Sequence, residues 1–208
     1  IVAQDWANFI QFKKANTKLS KVKKNKKRIV FMGNSITIGW LETNPEFFES
    51  KAYINRGISG QTTPQMLVRF RADVVDIQAD AVIILAGTND IAENTGPVTL
   101  KMILNNLKSM TEIAKANNIK VVLCSVLPAY EYPWSPNKKP NIKIPKLNNM
   151  IKDYAEKSQT YYLDYFSALE NGNNGLKTDY TNDGVHLTAK GYSIMESILE
   201  DVIKEIFE

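Results

Sequence analysis

Ser35 stands where an apolar run, IVFM, gives way to Gly33 and Asn34. A serine hydroxyl is a poor nucleophile until a base removes its proton. The chain has one histidine, His186, so a serine-based reaction has His186 as its base or has none. Asp183 precedes that histidine by three residues across Gly184, and a short D-x-x-H loop can fold a carboxylate back onto the imidazole to fix its tautomer. Acyl transfer also needs donors aimed at the carbonyl oxygen as it turns negative. The backbone N–H groups of Ser35 and Gly60 and the side-chain amide of Asn89 are candidates, glycine letting the backbone approach closely. Taken singly, each residue has a structural reading: a turn serine, a turn glycine, an Asx turn at Asn89 or Asp90, a loop-closing aspartate and a lone non-catalytic histidine.

Their joint position favours chemistry. Five segments read as strands: RIVFMG at 28–33, YINRG at 53–57, AVIILAG at 81–87, KVVLCSV at 120–126 and the weaker TYYLDYF at 160–166. The apolar ones lack alternation, as strands covered on both faces do. Helical patterns lie around them at 4–19, 64–75, 97–117, 145–158 and 188–207, with Thr62 or Thr63, Pro97 and Thr188 as start signals. This alternation predicts a three-layer α/β/α sandwich with a central five-stranded parallel sheet. Ligands bind such sheets beyond the carboxyl ends of the strands. Gly33-Asn34-Ser35, Gly57-Ile58-Ser59-Gly60, Gly87-Thr88-Asn89-Asp90 and the late Asp183–His186 loop all fall there.

GNSIT at 33–37, NRGISG at 55–60, GTND at 87–90 and DGVH at 183–186 resemble, in order, the four sequence blocks of the SGNH (GDSL-type) hydrolases. The resemblance implies the flavodoxin-like SGNH fold, with Ser35 as nucleophile, Asp183 and His186 completing the triad, and Ser35, Gly60 and Asn89 forming the oxyanion hole. Asp90 then holds its loop rather than reacting. The pattern departs at Asn34, where the family usually has an aspartate. Asparagine keeps the size and an acceptor but drops the charge, which bears on the pH profile and on the support around Ser35.

The segment 128–146, PAYEYPWSPNKKPNIKIPK, sets Tyr130, Tyr132 and Trp134 among prolines that stiffen it. These three are expected to bind substrate by stacking on sugar rings; the alternative is that they pack over the sheet end. With no large lid, small acyl esters are expected, and the resemblance to carbohydrate-acting and platelet-activating-factor-acetylhydrolase-like members implies O-deacetylation of a glycan or glycoside. Rival readings are a lysophospholipase or thioesterase with the same machinery, and a non-catalytic glycan-binding module prompted by Asn34. No cofactor or metal is implied, since one histidine, one cysteine and scattered carboxylates make no plausible zinc set.

Length and charge bound the rest. The 208 residues suit one domain spanning 1–208, with 1–27 an N-terminal helix and basic linker packed on or beside the core. A chain of this length buries about 70% of its unfolded surface, so it needs no disulfide, and Cys124 reads as an apolar filler. Residues 18–28 carry seven cations and no anion within a net charge of +4. They read as a solvated link, with a polyanion-binding surface as the rival; no nucleic-acid motif accompanies them, so no nucleic-acid partner is expected. No apolar run approaches membrane-spanning length. A leader removed ahead of Ile1 fits a secreted or periplasmic protein, a cytoplasmic one being the alternative.

Overall fold

The structure is a computed structural model that describes residues 5–21, 26–51 and 53–208. Five parallel strands, β1 (Ile29–Gly33), β2 (Ile54–Gly57), β3 (Ala81–Leu85), β4 (Lys120–Cys124) and β5 (Tyr161–Leu163), form one sheet in the order β2-β1-β3-β4-β5. The helices are α1 (Ile10–Lys21), α2 (Ser35–Thr43), α3 (Pro45–Glu49), α4 (Thr63–Phe70), α5 (Thr88–Ile91), α6 (Leu100–Ala116), α7 (Pro140–Lys157), α8 (Tyr165–Leu169) and α9 (Ala189–Phe207).

Successive strand side chains point to opposite faces, and here both faces are dry. Val30, Met32, Val82, Ile84, Val121 and Leu123 pack with residues of α4, α6 and α7. Ile29, Phe31, Ala81, Ile83, Val122 and Cys124 pack with residues of α2, α3, α8 and α9. This double burial makes the central strands continuously apolar and the molecule three-layered. Cys124 sits inside the second layer, where burial pushes its thiol upward in pKa, away from reactivity.

Element ends moved where side chains compete for the backbone. The fifth strand stops early because Asp164 accepts the Ser167 N–H at 3.1 Å and starts α8, so 165–166 are helical rather than extended. Pro97 does not open α6: Thr99 caps it, accepting from Met102 N at 3.2 Å. Pro145 lies inside α7, which Pro140 opens five residues sooner than the pattern indicated. The helix expected over 64–75 runs as α4 and then widens into a π turn at Arg71–Val75. Thr62 and Thr188 do cap α4 and α9.

The N-terminal amphipathic pattern begins later than expected, at Ile10, with Asp5 accepting Phe9 N at 2.9 Å and Ile10 N at 3.0 Å ahead of it. Of the basic run, 22–25 lie outside the described residues, and Arg28 is not a solvated charge. It is buried and donates to the Ile77 carbonyl at 2.6 Å. Among the described residues no helix is long and apolar enough to cross a membrane.

Candidate active site

The turn after β1 places Ser35 at the first position of α2. Asn34 makes the turn: its Oδ1 accepts the Ile36 N–H at 3.0 Å and its carbonyl accepts Thr37 N and Ile38 N, both at 3.1 Å. The first turn of α2 lies against the end of β2, where Gly57 is required. A Cβ on Gly57 would collide with the backbone nitrogen of Ile38 and stand 2.8 Å from the Asn34 carbonyl oxygen.

The histidine arrives from the loop before α9. Thr181 braces that loop, donating to the His186 carbonyl at 2.7 Å and accepting from Gly184 N at 2.9 Å. Asp183 folds back as the short spacing allows. Its Oδ1 accepts the N–H groups of Val185 at 2.9 Å and His186 at 2.8 Å, and its Oδ2 lies 2.6 Å from His186 Nδ1. His186 Nε2 lies 3.0 Å from Ser35 Oγ. Partial burial raises the Asp183 pKa, but the hydrogen bonds from the His186 ring and from the two backbone N–H groups outweigh it and hold the carboxyl at about 2. An ionised Asp183 keeps the proton of a neutral imidazole on Nδ1 and leaves Nε2 free to accept from Ser35.

Contacts from α9 to α2 and the residue that ends it hold serine and histidine at this separation. Tyr192 of α9 donates its hydroxyl to the Ile36 carbonyl at 2.8 Å, and its ring stacks on Trp40 of α2 at 5.8 Å. Trp40 Nε1 and Asn44 Nδ2 both donate to Glu196 at 2.8 Å.

On the other side of Ser35 the loops after β2 and β3 present donors. Gly60 has φ +75, a conformation that glycine adopts without strain. Asn89 is buried, and its Nδ2 donates to the Gln61 carbonyl at 3.0 Å. Its second amide hydrogen, the Gly60 N–H and the Ser35 N–H have no acceptor among the described residues. Asp90 fixes the loops to each other: both its oxygens take the Thr63 N–H at 3.0 Å, and one takes the Thr63 hydroxyl at 2.5 Å. Burial pushes Asp90 up to about 6 against these hydrogen bonds, which favour the ionised form.

The aromatic loop divides. Tyr130 is 62% exposed and Trp134 45%, whereas Tyr132 is 0% exposed. Tyr132 therefore has no face for a ligand, which corrects its expected role as a binding residue. It lies stacked on Trp134, ring centroids 5.0 Å apart. The Trp134 ring centroid is 6.5 Å from that of His186. Beside Asp183 and Gly184 is a cleft of about 430 Å3 walled by Tyr130, Pro133, Pro136 and Asn171. Thr181, which braces the histidine loop, and Asn94, which joins the Gly60 loop to the aromatic loop, were missed from sequence. Thr181 carried a signal, a hydroxyl two residues before an aspartate in a turn-rich stretch; Asn94 carried none. Among the described residues no three His, Cys, Asp or Glu side chains gather as a metal site.

A five-stranded α/β/α sandwich with a Ser–His–Asp chain at its carboxyl edge is the architecture of a serine acylhydrolase. Residues 31–194 match the GDSL-like lipase/acylhydrolase family, and the chain belongs to it as an ester hydrolase. A solved GDSL-like lipase from Bacteroides thetaiotaomicron is 46% identical, with a TM-score of 0.92 over 96% of this chain and 98% of that one. A solved structure from Bacteroides fragilis is likewise 46% identical, with a TM-score of 0.95 over 99% and 100%. The human isoamyl acetate-hydrolyzing esterase 1 homolog is 28% identical, covering 86% of this chain and 82% of its own length.

Proposed function

We propose that the chain removes small acyl groups, acetyl above all, from the hydroxyls of a carbohydrate or glycoside through an acyl-enzyme. The observation that carries the reading is the unbroken chain from Ser35 Oγ to His186 Nε2 at 3.0 Å and from His186 Nδ1 to Asp183 at 2.6 Å. Ser35 Oγ attacks the ester carbonyl as His186 takes its proton. The electron pair moved onto the carbonyl oxygen meets the N–H groups of Ser35 and Gly60 and the spare amide hydrogen of Asn89. Collapse of the tetrahedral species expels the sugar alkoxide, which receives the proton from His186. Water then enters, gives its proton to His186 and attacks the acyl carbon, and acetate leaves as the proton returns to Ser35. Asp183 stays ionised throughout.

The preference for acetate draws on the human relative, whose name records an acetate ester. The carbohydrate preference draws on the exposed rings of Tyr130 and Trp134 beside the cleft that Asn171 and Glu131 help to line. Rings for stacking with nearby amide and carboxylate groups suit a neutral, hydroxyl-rich ligand.

The test is turnover on 4-nitrophenyl acetate, butyrate and decanoate and on O-acetylated oligosaccharides, with Ser35→Ala as control. Ser35→Ala is expected to abolish all of it without loss of thermal stability, and Asn89→Ala to lower kcat by about 10² to 10³. Asp183→Asn should cost less than His186→Ala. Better turnover on decanoate than on acetate, or no release of acetate from the oligosaccharides, would sink the substrate assignment.

A further inference from the structure

Asn94 lies at the rim, outside all four sequence blocks, yet it touches three parts of the site. Its backbone N–H donates to the Asn89 carbonyl at 3.0 Å. Its side-chain Nδ2 donates to the Gly60 carbonyl at 3.1 Å, and its Oδ1 accepts from Trp134 Nε1 at 3.1 Å. The amide orientation follows from chemistry, because an indole N–H only donates and a carbonyl only accepts. A side chain with one donor and one acceptor at this length suits both partners.

We propose that Asn94 is a positioning residue that couples the Trp134 wall to the Gly60 oxyanion donor; this rests on the serine-esterase reading above. Gly60 needs such a clamp. It has no side chain, and a Cβ built on it would find one heavy atom within 4.0 Å beyond its chain neighbours, the Nδ2 of Asn94. Holding the Gly60 carbonyl restrains the residue at φ +75 and with it the aim of its free N–H. On the other arm, the aromatic loop is anchored to the same short segment twice more, by Ser135 Oγ donating to the Ala92 carbonyl at 2.8 Å and by Lys138 on Glu93 at 2.7 Å. Trp134 stands beside His186, where the alcohol departs. A leaving group that packs on Trp134 therefore steadies the indole, the amide and the Gly60 peptide together, turning its binding into transition-state stabilisation.

A double-mutant cycle in the whole chain separates the arms. Trp134→Phe keeps a ring but removes the indole donor; Asn94→Ala removes both arms. With 4-nitrophenyl acetate, Trp134→Phe cuts the link from indole to amide and is expected to raise KM about threefold and to lower kcat about threefold. Asn94→Ala is expected to raise KM by a similar factor and to lower kcat about tenfold, short of the loss on deleting an oxyanion donor. In the double variant KM should rise no further while the kcat loss persists, since the two residues share one arm. The rate at which a fluorophosphonate labels Ser35 should fall with kcat and not with melting temperature. Unchanged kcat in Trp134→Phe, unchanged kcat and labelling in Asn94→Ala, or effects of the two that multiply, would overturn the coupling. If turnover survives Ser35→Ala, the esterase reading fails and the coupling with it; if turnover depends on Ser35 but ignores Asn94→Ala, the coupling alone fails.

Discussion

At the position where the family pattern usually has an aspartate, Asn34 is 2% exposed, and its work is local. It caps α2 through Oδ1 and sets the angle at which Ser35 leaves the sheet. That task needs an acceptor of the right length, not a charge, which is why asparagine serves. Asn34→Ala is expected to cost about 1 kcal/mol of stability, as lost N-caps do. It should also lower kcat with little change in KM, because Ser35 is the next residue. Asn34→Asp restores the acceptor and should recover at least half of the wild-type kcat; chemical denaturation and initial rates check both. The grouping of Ser35, His186 and Asp183 was legible in sequence because each of these residues sits in a short motif of fixed spacing. The aromatic loop was not: alternate spacing at 130, 132 and 134 has no directional meaning in an irregular segment, so the burial of Tyr132 under Trp134 left no trace in the order of residues.

Among the elements, β1, β3 and β4 were readable because double burial forces apolar residues along their length, while β5 and several helix starts depended on one capping side chain. Asp90 belongs to this scale, since it ties the turn after β3 to the first residue of α4. In the folded chain it titrates at about 6 against an ordinary 3.8, because burial outweighs its bonds to Thr63. A raised carboxyl pKa means that the folded state holds the proton more tightly than the unfolded one. Its contribution therefore favours folding below about pH 4, declines as pH rises from about 4 to 6, and is level above that. Asp90→Asn keeps an acceptor for Thr63 and removes the titration. Urea midpoints from pH 4 to 7 should show the stability of the variant relative to wild type rising through this window and then flattening. A constant difference across it would contradict the assignment.

For the molecule as a whole, the N-terminal segment lies outside residues 31–194 yet closes over buried charge. Arg56, Arg69 and Asp73 are 4%, 1% and 3% exposed. Arg69 donates to Asp73 at 2.6 Å, to Gln61 Oε1 at 2.6 Å and to the Gly33 carbonyl at 3.2 Å, so it joins the segments that lead to Ser35 and follow Gly60. Burial pulls Arg56 down to about 10 against the opposing influence of Asp73. Helix α1 supplies what these groups lack. Asn16 accepts from Arg56 Nε at 3.1 Å and donates to Asp73 at 2.6 Å, and Phe12 lies 4.7 Å from the Arg56 guanidinium. Two further bonds run from Gln61 to the Ala7 carbonyl and from Gln65 to the Trp6 carbonyl, both 2.8 Å. Removing one partner from a buried polar network costs more than the bond itself, because the remaining groups stay desolvated. Asn16→Leu, which keeps the number and branching of side-chain heavy atoms but has no donor or acceptor, is therefore expected to lose about 1–3 kcal/mol of stability. Because the network reaches Gln61 and Gly33, kcat on 4-nitrophenyl acetate should fall as well, at a temperature where the variant is still fully folded. Wild-type stability in Asn16→Leu would mean that water satisfies Arg56 and Asp73 as well as α1 does, and that the segment merely rests on the fold.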